Sequence, residues 1–370
     1  MCYGGEDTHP KNQNFATAKN PYTPSALHKA LITGYSLLML CIPSKSLLLA
    51  PMVELSHRAL REFIEDYWPG ADFYWTEMAS TKSYLTHAPF ERYYLDILPQ
   101  PEKTVIQWFT STADDLVKAV TTHYEETVSN NSNCAGYDVN FACSAPHIER
   151  TGGGIKWMQK PLEAAAMIRT LRTALPDIQL TAKLRLGYKD DIKSLETFCI
   201  AIAEAGLDAI ILHPRFKHEK FKIRNHWDYI EKIAASVPVP LIGNGDITSF
   251  EKANNVLSTY KLHGIMIGRE AVRRPWIFYL IKNKMKDNSF CMEINLETTA
   301  LTFLVYVKQY LPEPFHLSRI KRFFLYYCDN LKFGHHLRHA IQNAKTVDTI
   351  PDLITNYFTE VPEERIKYET

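Results

Sequence analysis

The sequence is poor in cysteine, and none of its cysteines is spaced for partnership. The seven stand at 2, 41, 134, 143, 199, 291 and 328. An odd, scattered set supports neither a disulfide framework nor a zinc site. It suits a reducing cytoplasm, the expected location. A long apolar run is also lacking. The longest, Leu31 to Pro43, is too short for the ~20 residues that span a bilayer. It follows Lys29 as a weak signal peptide would, but no small-x-small cleavage site comes after it. The expectation is no membrane and no metal. Nor is there a net charge to speak of: 42 Lys and Arg face 41 Asp and Glu, leaving +1, so any nucleic-acid signal must be local. With 46% hydrophobic and 22% charged residues the chain is neither collagen-like nor disordered. Low-complexity segments are absent, no G-x-G-x-x-G follows an early strand, and Ser144 has no evident base beside it.

What is present is alternation. Short apolar, β-branched runs occur at Leu47–Met52, Asp72–Thr76, Thr104–Phe109, Tyr137–Phe141, Gln179–Arg185, Ala209–His213, Pro240–Gly243 and Gly264–Gly268. Apolar neighbours within a run indicate strands buried on both faces. Helix-compatible segments such as Ala113–Val128 and Pro161–Thr173 lie between them, the second opening on proline. Eight such units over about 235 residues predict a TIM (β/α)8 barrel, typically ~250 residues long. A doubly wound sheet is the competitor, and it seldom needs eight regular repeats. From about 293 the pattern becomes helical, with Leu296–Leu311, Ser318–Leu331, His335–Ala344 and Ile350–Phe358 as the helices, the first pair broken by Pro312 and Pro314. The predicted organisation is α/β: a poorly patterned extension over 1–45, a TIM barrel over 46–290, and an all-α helical domain over 291–370. Met39 stands close ahead of the first strand and is a candidate alternative start.

In a TIM barrel the chemistry sits at the C-terminal ends of the strands. Polar residues there are Gln107, Asn140, Lys183, Arg185, His213 and Arg215, with Gly243-Asn244-Gly245-Asp246 after strand seven and Gly268-Arg269 after strand eight. Six polar strand ends converging on one mouth are hard to explain as packing, because an unpartnered buried ammonium or guanidinium is costly. The last two loops are the usual phosphate site of the fold, and glycines let backbone N–H groups approach an anion, with Arg269 as a fork for its oxygens. The alternative is that they only end strands. Cys143 follows strand four in Asp138-Val-Asn140-Phe-Ala-Cys143. Free cysteine is commonly a small buried hydrophobe. At a barrel mouth, however, a thiol of pKa ~8.5 is a proton donor at neutral pH. The glycines at 152–154 suggest a flexible segment over it.

These motifs resemble the tRNA-dihydrouridine synthase family. Leu-Ala-Pro51-Met52, Thr76-Glu77-Met78, Gln107, Asp138-Val-Asn140-Phe-Ala-Cys143, Lys183-Leu-Arg185-Leu-Gly187, His213-Pro-Arg215, Gly243-Asn-Gly-Asp246, Met266-Ile-Gly-Arg269 and Arg274-Pro-Trp-Ile-Phe278 match that family in order over about residues 47–345. The resemblance implies an FMN-binding barrel and a helical tRNA-binding domain. It further implies reduction of the C5–C6 bond of uridine in tRNA: NADPH reduces the flavin, hydride passes to C6, and Cys143 protonates C5. By motif position Pro51, Met52, Gln107, Lys183, His213, Asn244, Asp246, Gly268 and Arg269 hold FMN, and Asn140 and Arg215 contact the uracil. Ala142 and Ser144 replace the usual Gly and Pro around the cysteine, and His147 stands where lysine is common. Glu54 brings a carboxylate near the mouth that would disfavour an approaching phosphate.

Two basic stretches support an RNA partner. Arg319 to Lys345 carries six Lys or Arg against Asp329, and Arg215 to His226 carries five against Glu219, with Phe216, Phe221 and Trp227 interleaved. Arg319, Lys321, Arg322, Lys332 and Arg338 are the predicted RNA contacts. A monomer is expected. Two other readings stay open: a small-molecule FMN reductase of the dihydroorotate or dihydropyrimidine dehydrogenase type, and a non-catalytic RNA-binding protein.

Overall fold

The computed structural model describes residues 42–98, 100–130, 132–219 and 225–370. The expected extension lies outside them up to residue 41, as do Phe221 and the basic positions 220, 222 and 224. Eight parallel strands close a barrel in chain order: β1 Ser46–Leu49, β2 Phe73–Ser80, β3 Thr104–Phe109, β4 Gly136–Phe141, β5 Leu180–Leu184, β6 Ala209–Leu212, β7 Leu241–Asn244 and β8 Gly264–Ile267. Closure runs through Leu48 opposite Met266. Each apolar run became one strand. β1 stops at Leu49, so Ala50-Pro51-Met52 leave the strand at the mouth. β2 runs four residues past the expected Thr76, with a register irregularity between Trp75 and Met78.

Side-chain alternation explains the double burial. Leu47, Leu49, Ile106, Trp108, Ile210 and Leu212 join the outer helices in one apolar cluster. Leu48, Val105, Ile211, Ile242 and Met266 form a second cluster that fills the barrel. Toward the C-terminal ends the inward positions turn polar: Gln107, Asp138, Asn140, Thr181, Lys183, His213 and Asn244, all buried. The interior is thus an oily plug beneath a polar rim.

The C-terminal region folds as helices Leu296–Tyr310, Glu313–Tyr327, Gly334–Asn343 and Ile350–Glu360. Pro312 and Pro314 separate the first two as expected. They also open the second, which starts at Glu313 and not at Ser318, because proline fits a first helical turn. The region is not purely helical: β9 (Met292–Asn295) pairs antiparallel with β10 (Ile366–Glu369). Two four-residue strands some seventy positions apart carry no local hairpin signal. The helices dock on the barrel through aromatic rings. Phe303 stacks on Phe323 at 3.7 Å and meets Phe63 of the barrel helix Arg58–Tyr67 at 5.6 Å. Tyr306 donates to Asp66 at 2.6 Å. Each such buried ring contributes roughly 1.5–3 kcal/mol, and one apolar cluster runs through barrel helices and C-terminal helices alike. Among the described residues no helix is long and apolar enough to cross a membrane.

Candidate active site

One cavity of about 520 Å³ opens at the C-terminal ends of the strands. That is within the range that takes a small-molecule cofactor. Pro51, Met52, Gln107, Asn140, Cys143, Lys183, His213, Asn244, Asp246, Gly268 and Arg269 all line it. Positions scattered over more than 200 residues of chain are therefore brought together at one mouth.

A hydrogen-bonded chain anchors the cysteine. Thr181 Oγ1 donates to Asp138 Oδ1 at 2.6 Å, and Gln107 Nε2 donates to Asp138 Oδ2 at 2.7 Å. Asn140 Nδ2 donates to Gln107 Oε1 at 2.9 Å. Asn140 Oδ1 then accepts the backbone N–H of Ala142 at 3.0 Å and of Cys143 at 2.8 Å. Three strands thereby fix the loop that carries the thiol. Burial of Asp138 pushes its carboxyl up to about 6, opposed by its Thr181 and Gln107 donors.

Of the glycines expected to make a flexible cover, Gly154 instead completes this anchorage. Gly154 has φ +57, and a Cβ there would lie 2.4 Å from the carbonyl oxygen of Cys143. The next residue, Ile155, donates its N–H to that same oxygen at 3.0 Å. The segment is pressed against the cysteine loop. Burial raises the Cys143 thiol above its ordinary value, opposed by a hydrogen bond from the Ala145 backbone and by the charges of Arg185 and Lys183. At neutral pH the group is a protonated thiol.

Around it the field is positive. Lys183, Arg185, Arg269, Arg273 and Arg322 line the cavity against Asp246, Glu270 and Asp329. Burial, then the Arg185 charge, brings Lys183 down to about 8. The residue is 7% exposed, and its ammonium makes no hydrogen bond among the described residues. Burial, reinforced by Lys183, Arg185, Arg215 and Arg269, holds His213 well below its ordinary value, so it is a neutral imidazole.

The loop after β7 is tightly built. Gly245 has φ +123, and a Cβ there would lie 2.5 Å from Asn225 Nδ2. Asp246, itself left-handed at φ +52, accepts from Arg215 at 2.5 Å, Asn225 at 2.8 Å and Arg269 at 3.4 Å. Asn244 gives its amide to the Met266 carbonyl at 2.7 Å. Arg215, expected against the uracil, is 1% exposed and is not among the residues lining the cavity. It orients Asp246 from behind. Arg185 stands on the wall instead. The signal for Arg185 was there: it follows Lys183 by two residues, and strand side chains repeat with period two. Arg273, Tyr326 and Asp329 also line the wall. Sequence alone gave no sign of that, since only docking of the C-terminal helices brings Tyr326 and Asp329 to the mouth.

The family model for dihydrouridine synthase matches residues 48–360. The chain belongs to the dihydrouridine synthase family. A tRNA-dihydrouridine(16) synthase of Neisseria meningitidis serogroup B is 30% identical over 230 residues, covering 60% of this chain and 68% of that protein. One from Cupriavidus necator is 33% identical over 247 residues, covering 65% and 74%. A human tRNA-dihydrouridine(47) synthase-like protein is 33% identical over 148 residues, covering 40% and 22%. Across four bacterial relatives the match spans 47–74% of their lengths.

The Glu54 carboxylate, too, has its place in the fold. Glu54 has φ +67 and donates its N–H to buried Glu77 at 2.6 Å. Its side chain pairs with Arg319 at 3.2 Å and Arg322 at 3.6 Å. The charge is therefore paired with two guanidiniums across the seam, which offsets its repulsion of a phosphate. Arg319 is correspondingly 6% exposed, so its guanidinium belongs to the seam and not to an open RNA-facing surface. Of the other basic residues, Arg322 lines the cavity, Arg338 pairs with Asp329, and Lys332 is exposed above Phe333. Lys321 is half-buried on the same helix as Arg319.

Proposed function

We propose that this protein reduces the C5–C6 double bond of a uridine in tRNA, using FMN in the barrel mouth and NADPH as reductant. The residues present fit such a cofactor. The cavity is large enough, a buried ammonium at Lys183 faces it without a hydrogen-bond partner among the described residues, and Gly268 with Arg269 offers room and charge for a phosphate. Pro51, Met52, Gln107, Lys183 and His213 would hold the ring and ribityl chain, and Asn244, Asp246, Gly268 and Arg269 the phosphate end. When bound, FMN supplies hydride to C6 of the uracil, having received it from NADPH.

The chain's own residues supply the rest. C6 is the electrophilic end of an enone, so charge develops toward C5 and the C4 carbonyl. Cys143 holds a proton on its thiol at neutral pH and delivers it to C5. The thiolate left behind faces Lys183 and Arg185, whose charges favour it until solvent reprotonates it. Asn140, with both amide ends engaged, fixes the height of the thiol, and Arg185 takes the uracil-facing part that the sequence suggested for Arg215. Lys321, Arg322, Lys332 and Arg338 provide phosphate contacts, and the target nucleoside is extruded from the folded RNA into the pocket.

The observation that carries this reading is the Cys143 loop, held by Asn140 at the wall of a cationic cavity. The test is to incubate purified protein, FMN and NADPH with an unmodified tRNA transcript and map dihydrouridine by nucleoside mass spectrometry. Dihydrouridine at a defined position is expected. A flavin-loaded protein that leaves the RNA unchanged, or turns over free pyrimidines instead, overturns the proposal.

A further inference from the structure

Three aromatic rings meet across the seam between barrel and C-terminal helices. Phe90 and Tyr93 come from the excursion between β2 and β3, and Phe315 from the first turn of the helix Glu313–Tyr327. Phe90 lies 5.1 Å from Phe315 and 5.9 Å from Tyr93, and Tyr93 lies 6.1 Å from Phe315. Burial does not account for the cluster, since Phe90 is 44% and Tyr93 47% exposed. Phe90 also has φ +68 and ψ −6, a left-handed conformation that bulky residues rarely adopt. The surrounding structure holds this ring in solvent at a conformational cost, which marks a functional position more often than a packing accident.

The rings are connected to the cavity. The Arg319 guanidinium lies 4.7 Å from the centre of the Phe315 ring. Arg319 pairs with Glu54, which also pairs with the cavity-lining Arg322. We infer that this cluster is a stacking platform for the nucleobases of a folded RNA that adjoin the reacting uridine, an inference that rests on the proposed function. Extruding one nucleoside strips a stacking face from its neighbours. Aromatic rings backed by arginine accept any base, because every base has a π-face. Lys321 lies farther along the same helix as Phe315, so one element offers both ring and phosphate contact.

The decisive variants are Phe90→Gly and Tyr93→Ala, singly and together. Glycine relieves the left-handed strain, so Phe90→Gly is expected to melt no lower than the wild type. The double variant is expected to bind tRNA transcript on the order of tenfold more weakly. The slope of log Kd against log salt should not change, because no phosphate contact is lost. Unchanged Kd in the double variant overturns the platform, and so does a changed salt slope, which would assign the effect to charge. Kd reads binding independently of turnover. A protein that forms dihydrouridine with an unaffected Kd refutes the platform and keeps the activity. A wild type that forms no dihydrouridine, while the double variant loses affinity as described, refutes the activity and keeps the platform.

Discussion

Gly154→Ala tests whether backbone crowding sets the position of Cys143. The added Cβ would lie 2.4 Å from the Cys143 carbonyl oxygen and 3.2 Å from its Cα-bonded carbonyl carbon and Cβ. All are backbone or backbone-proximal atoms that cannot swing aside. The residue must also keep φ +57, which costs a non-glycine about 1–2 kcal/mol. Relief requires the cysteine loop to retreat and the Ile155 N–H to release its 3.0 Å bond to that oxygen, a further ~1 kcal/mol. The sum, about 2–3 kcal/mol, lowers Tm by about 3–4 °C for a chain of this size. A retreat of the thiol by up to ~1 Å lowers kcat by roughly 10–100-fold. Flavin content and tRNA affinity should not change, since neither ligand is expected to meet this glycine. Gly152→Ala is the matched control: it too has φ +89, but its Cβ would find nothing nearer than the Ser111 oxygen at 4.0 Å. It should lose about 1 kcal/mol and keep its kcat. The assays are single-turnover dihydrouridine formation and thermal unfolding with flavin absorbance recorded. Equal kcat values for the two variants would refute the reasoning.

Cys143→Ala is expected to retain flavin while dihydrouridine formation falls by about 10²–10⁴, read by nucleoside mass spectrometry. The wild-type rate should be flat through neutral pH and decline above about pH 8, as Lys183 begins to lose its charge and the raised thiol later loses its proton; a decline already at pH 6 would contradict this. Lys332→Glu is expected to weaken tRNA binding and reduce the salt slope by about one to two, measured by titration at several ionic strengths. Burial lowers His123 to about 4 and, with help from Arg319 and Arg61, His57 to about 3. The unfolded chain therefore binds protons below pH 6.5 that the folded chain refuses. Stability should fall as pH drops from 6.5 toward 4, by up to ~1.4 kcal/mol per pH unit for each histidine, and His123→Gln should flatten that slope in pH-dependent melts.

The barrel was legible in the sequence because its signal is local. Leu47 to Leu49 and Ile210 to Leu212 are apolar at every position, as only doubly buried strands are. The site was legible because Lys183, His213 and Asn244 interrupt such runs at one end. What escaped detection was relational. Arg215 and Arg185 are equally basic and both follow a strand within three residues, and only the closed barrel turns one behind Asp246 and the other into the cavity. Glu54 and Arg319 are 265 positions apart, so each was read as if alone, one as a repeller and one as an RNA contact. The glycines at 152–154 permit either mobility or crowding, and composition cannot distinguish the two. β9 and β10 are too short and too distant to announce each other.

The aromatic joint of Phe63, Phe303 and Phe323 has a consequence for timing. It ties a barrel helix to two C-terminal helices through buried rings, so the helices that bring Arg322 and Tyr326 to the mouth are set before any substrate arrives. The mould is cast before its guest arrives. If the proposed substrate is right, the rate at which a uridine enters then follows how often the RNA itself lets that uridine swing out. Loosely stacked loops should be served first, and a tightly folded RNA should set the pace by its own opening frequency.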